Sequence, residues 1–177
     1  MSRLYRVLLV VVLIALMSQP AVTRAAATAS GAGYAGTFDL RGALERPGTY
    51  TLETLRRYPS SKIDVVFGAG ASLQSAAFVG VSLWDLIREA GIKTRVGYKN
   101  DSLRKYVLVT GRDGYQVVLA LAEIMPDFGG ESVLVAYQRD GQPLGTDEGM
   151  ARLVVPNDKR GGRYVNNIIR IEVRDPD

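Results

Sequence analysis

The sequence predicts an α+β fold with a mixed β core and a few short helices. Most apolar runs are only about five residues long and end at Gly, Pro or Asp-Gly, which is typical of strands. The clearest helical spacing of apolar residues is confined to one stretch near the middle of the chain. The chain has 177 residues, of which 47% are hydrophobic, and this suits one globular domain with a sizeable core.

The first 27 residues have the layout of a secretory signal peptide. Arg3 and Arg6 precede an unbroken apolar run, Val7–Met17, and the small residues Ala25–Ala27 follow. We expect residues 1–27 to be removed on export to the periplasm or to the outside of the cell. The apolar run is short for a bilayer span, so no stable membrane insertion is expected after cleavage. Residues 28–36 are then a flexible linker, and residues 37–175 form the domain.

Composition excludes several classes of function. The chain carries 22 Lys+Arg and 18 Asp+Glu, but three of the arginines lie in the signal peptide, so the mature chain has 19 basic and 18 acidic residues. Such a balance does not indicate a nucleic-acid partner. The chain has no cysteine and no histidine. Disulfide bonds are therefore excluded. Metal binding by histidine, the commonest metal ligand, is excluded too, and so is catalysis by a Ser-His or Cys-His pair.

The first part of the domain predicts a strand, a short helix and a hairpin. Thr37–Leu40 is the expected strand. Thr51 is placed to cap a helix at Leu52–Tyr58, whose first turn carries an acidic residue that favours the helix dipole. Ile63–Phe67 and Ser72–Val79 flank two glycines and are expected to pair as a hairpin.

The best helix signal runs from Phe78 to Gly91. Ser82 and Asp85 form an S-x-x-D capping box. The apolar residues that share one face at helical spacing are Leu83, Leu86, Ile87 and Ala90. Gly91 suits the left-handed position that ends many helices, so the helix is expected to stop there.

The middle of the domain predicts a second hairpin and a further helix. Lys99–Lys105 is expected to be a polar connection. Tyr106–Thr110 and Tyr115–Leu119 flank a turn that contains two glycines, and they are expected to pair. Ala120–Met125 is long enough for a short helix, which the following proline ends.

The C-terminal part carries three apolar runs and a basic loop. Val133–Tyr137 leads to Asp140-Gly141, a hairpin signal, because both central residues of a type I′ turn need a positive φ. Ala151–Val155 is the second expected strand, and the proline after it marks the strand end. The loop Asn157–Arg163 contains adjacent glycines and leads into the third run, Tyr164–Val173.

Five segments follow one another in a recognisable order: FVGVSLWDLIREAG, YVLVTGRDGY, VLVAYQRDGQPL, RLVVP and GRYVNNIIRIEV. Together they resemble the molybdopterin-binding domain of sulfite-oxidase-type oxidoreductases, over nearly all of the mature chain. The resemblance implies a sulfite-oxidase-like fold with a β-rich core. It also implies a molybdenum cofactor bound through one pyranopterin, a cysteine thiolate on the metal, and basic side chains with backbone amides around the pterin phosphate.

The chain departs from this pattern at the metal. The implied thiolate position falls at Phe67–Gly70, where there is no cysteine, and soft thiolate is the ligand that matters here. The family's histidine before the R-L-V-V-P strand would fall at Thr146–Gly149. Arg3 and Arg6 are not adjacent, so the signal resembles one for unfolded export. Periplasmic molybdenum enzymes of this kind instead cross the membrane folded, with their cofactor in place.

The resemblance implies one set of binding residues, on the anion or pterin-phosphate side. They are Arg152, Asn157, Lys159, Arg160, Gly161, Gly162 and Arg163. No catalytic residue and no metal ligand is predicted. Two other interpretations stay open: the loop is a solvated segment whose charges confer solubility, and Arg152 simply pairs with Asp147 or Glu148. A retained pocket requires a cleft bounded by Phe67–Gly70, Arg152 and Asn157–Arg163.

Three functions follow, in order of preference. The first is a non-redox binding module, without cofactor, for a periplasmic protein partner or a small anion. The second is a molybdopterin-dependent oxidoreductase that acts on a small oxyanion or oxide substrate oriented by Arg152 and Arg163. The third is a cofactor-free enzyme that uses Asp147 and Glu148. Whether the chain is an enzyme is therefore left open.

Overall fold

A computed structural model describes residues 36–176, which form ten strands and three short α-helices. The strands are β1 Thr37–Gly42, β2 Gly48–Thr51, β3 Ser60–Ala69, β4 Ser72–Ser82, β5 Tyr106–Gly111, β6 Gln116–Ala120, β7 Leu134–Arg139, β8 Gln142–Pro143, β9 Arg152–Val154 and β10 Ile168–Arg174. The helices are α1 Leu52–Leu55, α2 Leu83–Ala90 and α3 Leu121–Ile124, with 3-10 turns at Asp101–Arg104 and Gly161–Arg163. The expected signal peptide and all but the last linker residue lie outside the described residues.

The strands form two sheets, and the α+β class is confirmed. The first sheet has the order β2-β1-β10-β5-β6, with β1 and β10 parallel and the other pairs antiparallel. In the second sheet β3 pairs with β4 and β4 with β7, while β8 and β9 also pair with β7. One cluster of buried apolar side chains draws on both sheets and on α2. Within residues 36–176, no helix is long and apolar enough to cross a bilayer.

The expected hairpin of β3 and β4 is confirmed and is longer than the sequence indicated. Its register runs from Ser60 opposite Val81 to Ala69 opposite Ser72. Only the base of β4, from Phe78 onward, pairs with β7. The outer half of the hairpin therefore extends beyond its neighbour strand, and this extension carries Phe67–Gly70 to the candidate site.

The expected central helix is confirmed, from Leu83 to Ala90. Phe78–Val81, which precede the predicted cap, belong to β4 and pair with β7, so the expected strand Ser72–Val79 runs three residues further than predicted. Ser82 caps the helix: its hydroxyl accepts a hydrogen bond from the Asp85 N–H at 3.3 Å. Gly91 ends it with φ of 74°.

The expected type I′ turn is confirmed, with φ of 52° at Asp140 and 78° at Gly141. The last expected strand is wrong in its first four residues, because β10 begins only at Ile168. Asn167 has φ of 48°, which breaks the extended conformation. The Leu153 N–H donates to the Val165 carbonyl at 2.9 Å, so this segment lies against β9 instead of extending β10.

The expected polar connection before β5 buries an ion cluster. Asp101 and Lys105 are each 2% exposed. The Asp101 carboxylate accepts bonds from the backbone N–H of Arg95 at 3.0 Å and from its Nε at 2.8 Å, and it lies 3.3 Å from Lys105 Nζ. These contacts, led by the Arg95 backbone N–H, lower the pKa of Asp101. Asp175 contacts Lys105 Nζ at 2.5 Å and so ties the C-terminal segment to the cluster.

We predict that Asp101→Asn lowers the free energy of unfolding at neutral pH, because Lys105 and Arg95 lose their buried counter-charge. A carboxyl with a lowered pKa stabilises the fold above its unfolded pKa of about 3.9 and loses that contribution as the pH falls further. The difference between wild type and variant should therefore shrink in acid. Denaturant unfolding from pH 7 to pH 2 measures it.

The matched control is Asp64→Asn, whose carboxylate is exposed and lies 3.9 Å from Lys62. Exposed ion pairs contribute little, so this variant should unfold like the wild type at every pH. Equal effects of the two substitutions at neutral pH would contradict the role assigned to the buried carboxylate.

Candidate functional site

A cleft of about 500 Å³ opens between the tip of the β3–β4 hairpin and the loop that follows β9. The structure thus brings together Phe67–Gly70, Arg152 and the central part of the basic loop. The complete lining is Phe67, Gly68, Ala69, Gly70, Gln74, Arg152, Arg160, Gly161, Gly162, Tyr164 and Asn166. Four of the seven predicted binding residues, Arg152 and Arg160–Gly162, therefore share one cleft.

Backbone contacts hold the loop against the hairpin. The Gly68 N–H donates to the Lys159 carbonyl at 2.9 Å. Gly161 lies so close to Phe67 that a Cβ atom on it would stand 2.9 Å from the ring. Across the loop, the Tyr115 hydroxyl donates to the Gly162 carbonyl at 2.6 Å. These contacts fix the position of the basic loop, so the cleft is formed before any ligand enters.

Arg152 is the buried cation of the cleft, with 8% of its surface exposed. Its guanidinium pairs with Glu148, which also lies 3.3 Å from Arg139. Burial lowers the pKa of Arg152, and the charge of Glu148 opposes that shift. The guanidinium carbon also lies 5.2, 5.5 and 5.9 Å from the ring centres of Phe78, Tyr164 and Phe67, within the range of cation–π attraction.

Two donors in the lining of the cleft have no hydrogen-bond partner within the described part of the chain. They are Arg152 Nε and the Tyr164 hydroxyl, and both atoms are buried. Burial raises the pKa of Tyr164, so its hydroxyl stays protonated at neutral pH and can donate. A buried donor without an acceptor costs about 1–3 kcal/mol. An acceptor that entered the cleft and reached these atoms would remove that cost.

The other three predicted binding residues lie outside the lining. Asn157 and Lys159 are exposed. Arg163 donates to both carboxylate oxygens of Asp158, at 2.9 and 2.7 Å, and lies 3.5 Å from Glu123. The bond to Asp158 raises the pKa of Arg163. Arg163 is therefore engaged in holding the loop and does not face the cleft, contrary to the orienting role that the second hypothesis gave it.

Sequence reasoning did not find three of the lining side chains: Tyr164, Gln74 and Asn166. Tyr164 was assigned to a strand, where it looked like an ordinary core aromatic. The signal that could have found it is its place directly after the basic loop, together with a hydroxyl that needs a partner when buried. The Gln74 side-chain oxygen accepts from Arg139 at 3.3 Å, a contact between elements far apart in sequence.

The sequence was also compared with families of known proteins. Residues 34–177 match the oxidoreductase molybdopterin binding domain. The chain belongs to this family. Membership confirms the resemblance on which the fold class and the position of the cleft were predicted, and proteins of the family normally bind molybdopterin.

Two relatives show the extent of the likeness. The chain is 28% identical over 110 residues to the uncharacterized oxidoreductase YuiH of Bacillus subtilis (strain 168), which covers 61% of this chain and 50% of YuiH. The structure resembles that of the sulfane dehydrogenase SoxCD from Paracoccus pantotrophus, with a TM-score of 0.64 and 22% identity over 79% of this chain. Only 38% of that chain is covered. The SoxCD likeness shows a shared fold.

The residues at the cleft do not fit a molybdenum group held in the family's manner. At the implied thiolate position the lining presents Phe67–Gly70, and the chain has no cysteine and no histidine. Glu148, near the implied histidine, is engaged by two arginines. Within residues 36–176, no group of acidic side chains is arranged to hold a metal ion. No thiolate ligand for molybdenum is therefore available in this chain.

We predict that Gly161→Ala lowers the free energy of unfolding by about 1–3 kcal/mol, because the new methyl group forces the loop or the Phe67 ring to move. Gly162→Ala is the matched control, since a Cβ at Gly162 has no atom within 4 Å. That variant should stay within about 0.5 kcal/mol of the wild type. Similar losses in both variants would show that the packing of the loop on Phe67 is not the cause.

Proposed function

We propose that this chain is an exported, non-redox binding module that holds a small oxyanion in the cleft. The observation that carries the proposal is the pair of buried donors, Arg152 Nε and the Tyr164 hydroxyl, which lack an acceptor within residues 36–176. Folded proteins satisfy nearly all of their buried polar groups. Two such donors in the lining of one cleft favour a ligand that supplies acceptor oxygens.

The charges around the cleft favour an anion. Arg139 and Arg152 share one carboxylate, that of Glu148. Arg160 is exposed in the lining and makes no ion pair within the described part of the chain. Arg139 has a second partner, Asp140 at 3.5 Å, so Glu148 is left to balance Arg152 and Arg160 supplies the excess positive charge of the cleft. Hydrogen bonds from arginine to an oxyanion are charge-assisted and stronger than those between neutral groups.

The side chains of the cleft do not support a redox reaction there. The family's chemistry belongs to its cofactor, and the protein's part is to bind and orient it. This chain offers no thiolate for the metal, and its expected export signal is of the type used by unfolded proteins. A chain that crosses the membrane unfolded arrives without a cofactor loaded in the cytoplasm.

A cofactor-free enzyme also lacks support. Its expected base was Glu148 or Asp147. One oxygen of Glu148 contacts Arg139 and Arg152, and the other accepts from the Gly145 N–H at 3.4 Å. Both oxygens of this carboxylate are already engaged within the protein and are not free to contact a substrate. The residues of the cleft are therefore suited to binding.

Tyr164→Phe should change stability and binding in opposite directions. Removal of a buried hydroxyl without a partner should raise the free energy of unfolding of the free protein by about 1 kcal/mol. The same change should weaken oxyanion binding, because one of the two donors is lost. Denaturant unfolding measures the first effect. Calorimetric titration with sulfate, phosphate and acetate measures the second.

Tyr115→Phe is the control, because its hydroxyl has a partner, the Gly162 carbonyl. It should lower stability by about 0.5–1.5 kcal/mol and leave both buried donors in place. Sulfate and phosphate also stabilise proteins generally by exclusion from the surface, an effect that both variants share with the wild type. Absence of saturable binding for all three anions, or equal binding by wild type and Tyr164→Phe, would contradict the proposal.

A further inference from the structure

The loop between α2 and β5, residues 93–100, has an unusual surface. All eight residues are exposed, with Val96 at 99% and Tyr98 at 60%. Its sequence, KTRVGYKN, contains three cations and no acid. Two large apolar side chains therefore stand at the surface among positive charges, on a segment that takes no part in the cleft.

The loop is held in shape by the buried ion cluster. The Asp101 carboxylate binds both the backbone N–H and the side chain of Arg95. The Arg95 guanidinium in turn lies 4.1 Å from the ring centre of Tyr98. Gly97, between the two apolar residues, has φ of 82°, a conformation that glycine adopts readily. Because the loop is already ordered, its binding to a surface costs little conformational entropy.

Other exposed apolar side chains in the described part of the chain have different surroundings. Phe128 follows Asp127, and Val66 lies two residues from Asp64 on the same face of β3. Tyr115 is bonded to the basic loop of the cleft, and Leu73 and Val118 lie in segments without charged residues. None of these combines a second large apolar residue with three cations in one short segment. The loop therefore differs from surface apolar residues that are scattered singly and need no explanation.

From these observations we propose that the loop of residues 93–100 docks the protein on an anionic lipid surface. Lys93 and Lys99 supply attraction to lipid phosphates, Arg95 holds the loop to Asp101, and Val96 and Tyr98 enter the headgroup layer. Basic residues near apolar or aromatic ones are the usual composition of segments that lie at a membrane interface. A deformable lipid layer accepts two exposed apolar side chains without a matching pocket, whereas a protein partner would need one.

The position of the loop suits a membrane-docked binding module. Lys105, at the base of the loop, begins the segment that becomes β5, and Gly111 ends β5 near the turn that contacts the basic loop of the cleft. Six residues of a strand span about 20 Å. Docking through the loop would leave the cleft at the far end of β5, open to the aqueous phase. This inference does not depend on which ligand the cleft holds.

The test uses the full chain with a fluorophore at one site. The chain has no cysteine, so Val96→Cys gives a unique position for an environment-sensitive label. Leu73→Cys is the control, because Leu73 is 77% exposed on the hairpin beside the cleft. Vesicles with phosphatidylglycerol should shift the emission of the label at position 96 to shorter wavelength. Pure phosphatidylcholine vesicles should not, and the label at position 73 should not respond to either.

Charge removal tests the electrostatic part of the proposal. Lys93→Gln with Lys99→Gln should weaken the vesicle response at position 96 at least about tenfold. Arg56→Gln with Lys62→Gln removes the same charge from exposed sites elsewhere and should leave it unchanged. An equal response at positions 73 and 96, or no response at 96 to anionic vesicles, would overturn the proposal. A response to soluble polyphosphate alone would assign the loop to a soluble polyanion and also overturn it.

Discussion

Burial of Arg152 is the constraint on which the cleft depends. A guanidinium removed from water needs a counter-charge and acceptors. Glu148 and the rings of Phe67, Phe78 and Tyr164 supply part of that environment, and these residues come from four separate segments of the chain. Their convergence holds β4, β9, the hairpin tip and the segment after the basic loop around one charge. The Arg152 Nε atom is buried and still has no acceptor within the described residues.

The same arrangement shows how this chain differs from the pattern its family implies. The hairpin tip that should present a thiolate presents Phe67–Gly70, with the Phe67 ring centre 4.7 Å from that of Tyr164. Gly161 lets the basic loop approach the Phe67 ring closely. What persists is the scaffold and the positively charged side of the cleft, and these are the parts that the proposed anion would contact. A cleft of this family that lacks the metal ligand is consistent with binding of a ligand without redox chemistry. The fold alone would not distinguish such binding from cofactor-dependent catalysis.

Local signals in the sequence predicted most elements, and contacts between distant segments account for the errors. The cap at Ser82, the glycine at position 91 and the Asp140-Gly141 turn are local, and the structure has all of them. The expected strand Tyr164–Val173 was too long at its start, because Asn167 has a positive φ and the segment before it bonds to β9. Of the site, Arg152 and the loop glycines were found through the family resemblance. Tyr164 was missed because its place beside Arg152 depends on tertiary contacts, and Arg163 lies outside the lining, bonded to Asp158.

The metal and pterin content of the protein, purified from its native host, tests the central claim most directly. We expect neither molybdenum nor pterin above background, in protein that still binds an oxyanion through Arg152 and Tyr164. Molybdenum near one atom per chain, together with bound pterin, would contradict a non-redox binding module. It would show instead that the cofactor is held in this cleft without a protein thiolate.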